Sequence, residues 1–254
     1  MSPRAIVLGS GTSNGVPSLG RTYPPAFLAD PRNHRTRCSL MLQGPTGNVL
    51  VDCAPEMRLQ ILKTGITEIE AVIISHTHAD HVMGMDDLRS FSLATGEAVK
   101  VYTSPEYQAD IRRLFPYAFG EFPPGIYVPR FDLRDLPDRL ELGGLDIEVL
   151  WVRHGPWDVA ALRVGGFAYV TDVSEIPAEV WERLQGLDNL VLDAVRHRPH
   201  PNHFHLDKAI EVAQSLAPRA TYFTHLCDEF DHGPAEARLP DGIRLAYDGL
   251  TIPI

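Results

Sequence analysis

The sequence has few cysteines, few basic residues and no long apolar run, and each shortage excludes a class of protein. Its three cysteines, Cys38, Cys53 and Cys227, are odd in number and widely separated. This argues against a disulfide framework and favours a reducing compartment. No apolar stretch approaches the roughly 20 residues that a membrane-spanning helix needs. The first residues also break into small and polar side chains too early for a signal-peptide core. We therefore expect a cytoplasmic protein that does not enter a membrane.

Basic residues are outnumbered, with 23 lysines and arginines against 33 acidic residues and a formal net charge of −10. Proteins that bind polyanions through many phosphates usually carry a basic face, so extended nucleic-acid binding is not expected. The chain has 254 residues, of which 44% are hydrophobic. That is an ordinary globular composition, and the chain is long enough to bury a large core without disulfides. We expect a single domain spanning residues 1–254.

Short apolar segments alternate with helical patterns along the chain. Segments 38–43 and 48–52 flank a Gly-Pro-Thr-Gly turn and predict two paired strands. The apolar segment 71–75 predicts a buried strand, and a helical pattern follows over 82–93. The same order, strands first and then strands alternating with helices, recurs in the second half. The pattern predicts an α/β fold in which two mixed β-sheets pack face to face with helices outside, an αββα sandwich.

Two other segments carry predictions about local structure. The proline-rich segment 116–137 is either a surface connection or a lid over a site. Near the end, segments 243–247 and 250–252 flank Asp248 and Gly249, and this spacing predicts a β-hairpin.

A dense group of metal-binding side chains follows the apolar segment 71–75. His76 and His78 alternate, so on an extended backbone they share one face. Asp80 and His81 would project from the first helical turn toward the same region. Imidazoles and carboxylates are ligands of zinc, manganese and iron, and such a density suits neither a solvated surface nor an apolar core. The segment predicts a metal site.

Six residues cannot complete two coordination shells, so further ligands are expected at the ends of later strands. His154, Asp172 and His225 are each the first metal-competent side chain after a predicted strand. Asp172 can bridge two ions, since a carboxylate can give one oxygen to each. The sequence thus predicts two divalent ions, zinc or manganese and possibly iron.

These motifs resemble the metallo-β-lactamase superfamily of binuclear metal hydrolases. Four further stretches, 9–17, 30–37, 85–89 and 246–250, are similar to one branch of it. That branch contains phosphoribosyl 1,2-cyclic phosphate phosphodiesterase and is a relative of the tRNA 3′-processing nucleases. The resemblance runs nearly from end to end of the chain.

The resemblance implies a role for each matching residue. It implies one ion on His76, His78 and His154 and the other on Asp80, His81 and His225, with Asp172 bridging them. It also implies a proton-donating histidine, for which His203 is favoured and His205 is the alternative; Asp80 is expected to serve catalysis as well as ligation. The branch often has a small structural zinc site with three cysteines in the stretch that is Gly20–Ala26 here. Those cysteines are absent from this sequence, so no structural zinc is expected and Cys227 is expected to be a buried small apolar residue.

Substrate contacts are expected from the glycine-rich loop and from His205. Ser10, Gly11 and Thr12 lie in a stretch whose backbone amides could hold a phosphate. The stretch departs from a dinucleotide-binding fingerprint because Asn14 occupies the third glycine position.

Asp52 and a group of arginines each admit two interpretations. Asp52 either orients a metal-binding histidine or begins a helix near Pro55. Arg32, Arg35 and Arg37 could bind a terminal phosphate, although solvated surface is the simpler interpretation.

The leading functional hypothesis is hydrolysis of a small cyclic phosphate such as phosphoribosyl 1,2-cyclic phosphate. Hydroxide held between the two ions would attack phosphorus, and His203 would protonate the departing ribose oxygen. The alternatives are a tRNA 3′-processing type of endonuclease, another ester or lactone hydrolase of the superfamily, and a metal-binding module without turnover. The expected partner is a small phosphate ester, and a homodimer is usual in the families that the chain resembles.

Overall fold

Fourteen strands form two sheets in the computed structural model, which describes residues 2–123 and 125–254. In chain order they are β1 (Arg4–Gly9), β2 (Ser39–Gln43), β3 (Asn48–Val51), β4 (Ala71–Ile73), β5 (Val99–Thr103), β6 (Phe131–Asp135), β7 (Arg139–Leu142), β8 (Leu145–His154), β9 (Trp157–Val164), β10 (Phe167–Val170), β11 (Asn189–Asp193), β12 (Ala220–Thr224), β13 (Ile243–Leu245) and β14 (Thr251–Pro253).

Eight α-helices and three 3₁₀ turns connect the strands within the described ranges. The helices are α1 (Pro25–Ala29), α2 (Met57–Thr64), α3 (Ala79–Val82), α4 (Arg89–Thr95), α5 (Pro105–Leu114), α6 (Ala178–Arg183), α7 (Leu206–Leu216) and α8 (His232–Glu236). The 3₁₀ turns are Pro31–Asn33, Met83–Leu88 and Pro116–Phe119. In the part of the chain that the structure describes, no helix has the length and apolar character to cross a bilayer.

Each sheet has seven strands and combines antiparallel with parallel pairing. The first has the order β14-β1-β2-β3-β4-β5-β6 and is parallel from β3 to β6. The second has the order β13-β12-β11-β10-β9-β8-β7 and is parallel from β13 to β10. Because β9 is antiparallel to both β8 and β10, those two strands run in the same direction. The carboxyl ends of β8, β10, β11 and β12 therefore lie at one edge.

Apolar residues of the two sheets face each other and form the centre of the sandwich. This cluster includes Leu40 and Val51 from the first sheet and Val149, Leu162 and Val191 from the second, all buried. Burying one such side chain stabilises the fold by about 1.5–3 kcal/mol. Two further clusters pack the outer helices on each sheet. The predicted αββα sandwich is confirmed.

Three local predictions need correction or refinement. Segments 243–247 and 250–252 do not form a hairpin, because β13 pairs with β12 in the second sheet and β14 with β1 in the first. The segment 116–137 contains an edge strand of the first sheet, β6, and Pro124 lies outside the described residues. The helical pattern predicted over 82–93 begins earlier, at Ala79, and is divided by the 3₁₀ turn into α3 and α4. Strands β5 and β7 were not predicted.

Candidate metal centre

Six strands deliver polar side chains to one edge of the sandwich. The side chains at or just after the strand ends are Asp52 (β3), His76 and His78 (β4), His154 (β8), Asp172 (β10), Asp193 (β11) and His225 (β12). Helix α3 adds Asp80 and His81 from its first turns. The edge lies where carboxyl ends of parallel strands meet, which is where ligands bind in sheets of this kind.

Left-handed backbone conformations mark three of these strand ends. Asp52, Asp172 and His225 have φ values of 63°, 50° and 57°. Among the described residues the only other non-glycine residue with positive φ is Ala217. Each such conformation costs about 1–3 kcal/mol, and such costs concentrate at functional sites. The sharp reversal ends each strand and turns its side chain into the shared space.

The first ligand set consists of His76, His78, His154 and Asp172. One donor atom from each lies within 4.8 Å of all the others. The Nε2 atoms of His76 and His154 are both 3.9 Å from Asp172 Oδ2. Four nitrogen and oxygen donors thus surround one position.

The second ligand set consists of Asp80, His81 and His225, and it adjoins Asp172. Asp80 Oδ2 lies 3.4 Å from His81 Nε2 and 3.5 Å from His225 Nε2. Asp172 approaches the same two nitrogens, with Oδ1 3.4 Å from His81 and Oδ2 3.6 Å from His225. The carboxylate of Asp172 therefore lies between the two sets.

The donor atoms fit divalent metal ions. The Nε2 atoms of His76, His81 and His225 are buried and have no hydrogen-bond partner. Buried polar atoms are normally paired, so three unpaired nitrogens facing one space need a further partner. Two ligands bound tetrahedrally at about 2.0–2.2 Å from one ion lie roughly 3.3–3.6 Å apart, close to the separations found here. The histidine and aspartate clusters are suited to metal ions without identifying the metal.

Burial and neighbouring charges set the protonation of these groups. Burial lowers the pKa of His76 well below its usual value and that of His154 to about 4, so both imidazoles are neutral. At His225 burial is outweighed by Asp172 and Asp80, which raise its pKa to about 10. Burial opposes ionisation of Asp172, but His225 and His81 hold its pKa well below the usual range. A metal cation here would meet an ionised carboxylate and displace protons from imidazoles.

Asp52 orients two of the histidines. Its Oδ2 lies 2.7 Å from His81 Nδ1 and accepts a hydrogen bond from the Ser75 hydroxyl (2.8 Å). Since that hydroxyl gives its proton to Asp52, His76 Nδ1, 3.1 Å away, must donate to the serine oxygen. Both Nδ1 atoms therefore carry protons, so a metal ion would bind each imidazole at Nε2. The structure favours the orienting interpretation of Asp52 over the helix-starting one, since α2 begins at Met57.

His154 and His203 are oriented in the same way by other partners. His154 Nδ1 donates to the carbonyl of Asn202 at 2.6 Å. His203 Nδ1 lies 2.8 Å from Asp193 Oδ2, while its Nε2 is 4.0 Å from Asp172 Oδ2. His203 thus faces the metal centre from a position fixed by a buried carboxylate. Sequence reasoning missed Asp193, which is the last residue of β11.

His205, the alternative to His203, lies outside the metal-binding clusters. It directly precedes α7, and its side chain has no place in the three clusters found among the described residues. His200 instead approaches the site, with its ring 4.9 Å from that of His203.

Trp157 forms a wall beside the first ligand set. It is the first residue of β9, and its ring centre lies 4.9 Å from that of His78 and 5.9 Å from that of His154. The indole is nevertheless 40% exposed. An aromatic side chain at the rim of the site was not predicted, because nothing in its local sequence distinguishes it from a strand residue.

The glycine-rich loop lies against the site, and the amides of Ser10, Gly11 and Thr12 donate hydrogen bonds within the chain. Ser10 is fully buried, and its amide and hydroxyl both donate to Asp248 at 2.9 Å. Gly11 bridges to Arg37 and Leu226, and a Cβ there would lie 2.7 Å from a backbone oxygen. These groups already have partners within the chain, and the contact of Ser10 and Gly11 with substrate stays a prediction. Thr12 lines a cavity next to the metal centre.

The arginines near this loop differ in exposure. Arg35 is buried, with 1% of its surface exposed, which contradicts the solvated-surface interpretation for this residue. Burial lowers its pKa to about 10. Arg37 instead pairs with Glu56 and lines the cavity. Arg32 is partly exposed and pairs with Asp30.

An ion pair joins the segment Gly20–Ala26, in which the resemblance places the cysteines of a structural zinc site, to the residues just after His225. Arg21 donates twice to Asp228, at 3.0 and 2.8 Å, and the Tyr23 hydroxyl donates to the same carboxylate at 2.6 Å. Nearby Cys227 is only partly buried, although it packs on the core of the second sheet.

Comparisons with known proteins agree with the fold. The sequence model of the beta-lactamase superfamily domain matches residues 47–226. A solved structure described as a new diphosphatase from the PhnP family is 37% identical, with a TM-score of 0.91 over 99% of this chain and 97% of the other.

Two curated proteins match over part of their own length. A protein of Porphyromonas gingivalis named octanoyltransferase is 34% identical over 97% of this chain and 51% of the relative. Ribonuclease Z of Methanopyrus kandleri is 27% identical over 57% of this chain and 45% of the relative. The chain thus spans about half the length of these curated relatives.

The superfamily match covers most of the chain, and the two seven-stranded sheets carry the ligands at the edge where the sequence motifs predicted them. The chain therefore has the fold of the metal-dependent hydrolases that the motifs resemble, with histidine and aspartate clusters suited to metal ions. It belongs to the metallo-β-lactamase superfamily, on the branch that includes the PhnP-family diphosphatase.

Proposed function

We propose that this chain is a binuclear metal-dependent phosphodiesterase that hydrolyses a small cyclic phosphate such as phosphoribosyl 1,2-cyclic phosphate. The observation that carries the proposal is the convergence of two ligand sets on Asp172, with His203 aimed into the same space. The 37% identity to a PhnP-family diphosphatase supports hydrolysis at phosphorus. The choice of cyclic phosphate rests on the resemblance of the sequence motifs.

The chain would contribute to this reaction by fixing donors and protons before the substrate arrives. Divalent ions in the two sets would polarise phosphoryl oxygens and lower the pKa of a coordinated water. Asp52 and the Asn202 carbonyl hold the Nε2 atoms of three histidines toward the centre. Asp193 accepts the Nδ1 proton of His203, so a proton on Nε2 of His203 is free to be given to the departing ribose oxygen. Such a proton donor typically accelerates the reaction about 10²–10⁴-fold.

The alternative functions are less well supported. A tRNA-processing nuclease is suggested by the ribonuclease Z relatives, but the net charge of −10 opposes extended RNA binding. Ester and lactone hydrolases use similar ligands, yet the arginines of the adjacent cavity favour an anionic substrate. A metal-binding module without turnover would not require the oriented His203.

The test is turnover of phosphoribosyl 1,2-cyclic phosphate by protein loaded with manganese or zinc, followed by phosphorus NMR. We expect opening to ribose 1,5-bisphosphate, and we expect the Asp172→Ala variant to be inactive. A diphosphate diester, a precursor tRNA and a lactone are assayed beside it. Turnover of one of these alone, with two metals bound, would refute the cyclic-phosphate proposal and identify the reaction class.

A further inference from the structure

A cavity of about 450 Å³ opens directly beside His203 and His225. It lies between the loop that follows β1, the segment 195–200 and the residues just after His225. Its volume is within the roughly 300–1,000 Å³ typical of small-molecule sites. Because two residues of the metal centre form part of its wall, a molecule bound at the metal centre can extend into it.

The cavity is basic although the chain is acidic. Its lining includes four arginines, Arg21, Arg37, Arg196 and Arg198, and two acidic residues, Asp228 and Glu229. This is a formal surplus of two positive charges, in a chain whose net charge is −10. A concave surface lined by charge of one sign concentrates ions of the opposite sign.

The four guanidinium groups are neutralised to different degrees. Arg21 is held by Asp228, and Arg37 pairs with Glu56. Arg198 is 79% exposed, and its contact with Glu229 is 3.6 Å long. Arg196 donates only to carbonyl oxygens of its own loop, at 3.1 Å to Arg198 and 2.6 Å to Pro199. Within the described ranges no carboxylate forms an ion pair with Arg196, so its charge is available to a ligand.

We propose that this cavity, which we call the arginine pocket, binds a second anionic group of the substrate, such as a phosphate that is not cleaved. Arg196 and Arg198 are its anchors, because guanidinium groups match phosphate geometry and these two are the least neutralised. The proposal rests on the phosphodiesterase function above: the cyclic phosphate proposed there carries a 5-phosphate, and the arginine pocket assigns the residues that would recognise it. Thr12, Ser13 and Asn14 also line the cavity and add neutral hydrogen-bonding groups.

The experiment compares two substrates, ribose 1,2-cyclic phosphate with and without a 5-phosphate, using the metal-loaded protein. The variants are Arg198→Ala, Arg196→Ala and Arg198→Lys. Arg139→Ala is the control, because Arg139 is an exposed arginine of β7 that pairs with Asp146 outside the pocket. Arg198→Ala is the principal variant, since Arg196 also holds its own loop together and its loss could disturb His200.

We expect Arg198→Ala to raise KM for the 5-phosphorylated substrate about 10–100-fold, the loss typical of one charge-assisted hydrogen-bonded pair. The kcat for that substrate and the KM for the unphosphorylated one should change less than about threefold. Arg198→Lys should recover part of the loss, and Arg139→Ala should match the wild type. Equal losses on both substrates, or a loss confined to kcat, would overturn the pocket and make Arg198 a positioning residue.

A binding measurement separates this proposal from the proposed function. The dissociation constant of ribose 5-phosphate is measured by calorimetry for the same metal-loaded proteins. Any contact of the phosphate with the metals is common to all of them, so a difference between variants reports the arginines. Weaker binding by Arg198→Ala without turnover of either substrate would refute the phosphodiesterase and support the pocket. Turnover of the substrates, with unchanged binding of ribose 5-phosphate in every variant, would support the phosphodiesterase and refute the pocket.

Discussion

Replacing Asp52 by asparagine should weaken metal binding without changing the shape of the site. The carboxylate is fully buried, and its Oδ2 accepts the Nδ1 proton of His81 at 2.7 Å. Asparagine is nearly the same size and tolerates the left-handed conformation that Asp52 adopts, with φ of 63°. Its amide nitrogen, however, donates a hydrogen bond where the carboxylate accepted one. His81 then has to accept at Nδ1, which moves its proton to Nε2, the atom that faces the second ligand set.

The structure sets the size of the effect. A hydrogen bond to a charged group contributes about 1.5–3 kcal/mol, and Ser75 N, 2.8 Å from Oδ1, can keep its bond to the asparagine oxygen. Removing a group that orients a metal-binding histidine typically costs 10–100-fold in metal affinity. That range corresponds to about 1.4–2.8 kcal/mol, in agreement with one lost charge-assisted bond.

The assay is competition for zinc or manganese with a chromophoric chelator, with metal content measured independently. Asp248→Asn is the matched control, because Asp248 is a partly buried aspartate that accepts hydrogen bonds from Ser10 and Thr36 but faces no ligand. It should lower stability and leave metal affinity unchanged. Wild-type affinity in Asp52→Asn, or an equal loss in both variants, would refute the tautomer argument.

Four other outcomes are expected. His203→Ala should keep both metals and lose turnover about 10²–10⁴-fold, whereas loss of a metal would make His203 a ligand. When metal is present at 100 times its Kd, removing it with a chelator should lower the Tm of the wild type by about 5–10 °C. The Tm of Asp172→Ala should not change on chelation. Burial lowers the pKa of His232 to about 4, so protons favour the unfolded chain, in which this histidine titrates near 6.5. Stability measured by urea unfolding should therefore fall as the pH drops from about 6.5 to 4. The fall should be less steep in His232→Gln than in the control variant His34→Gln. Equal slopes in the two variants would refute this role of His232. Manganese should quench the fluorescence of Trp157, because its ring lies beside those of His78 and His154. Trp157→Phe should remove the quenching. Unchanged quenching in that variant would show that another tryptophan is quenched.

The ligand sets could be predicted because their signal is local. Most of the ligands lie at or just after the end of an apolar strand, which places them at the edge of a sheet, as with Asp172 after β10 and His225 after β12. The sandwich fold was predictable for the same reason, since strand and helix patterns alternate along the chain.

The remaining features depend on contacts between distant segments. Arg35 is buried only because the loop after β1 and the residues after β12 close over it, and its own neighbours in sequence give no sign of this. The last two strands were predicted to form a hairpin because Asp248 and Gly249 resemble a hairpin turn. Asp248 instead accepts hydrogen bonds from Ser10 and Thr36. These bonds hold the segment around Asp248 between the two sheets, and β14 then pairs with β1 of the first sheet.

Each ligand set draws side chains from both halves of the sandwich. His76 and His78 follow a strand of the first sheet, whereas His154 and Asp172 belong to the second. The other set likewise combines Asp80 and His81 with His225. Bound ions would therefore act as cross-links between the sheets, in a chain whose described cysteines are all free. The supply of metal would then affect how long the chain stays folded as well as its reaction. Chains synthesised without enough metal would unfold and be degraded sooner than chains that hold both ions.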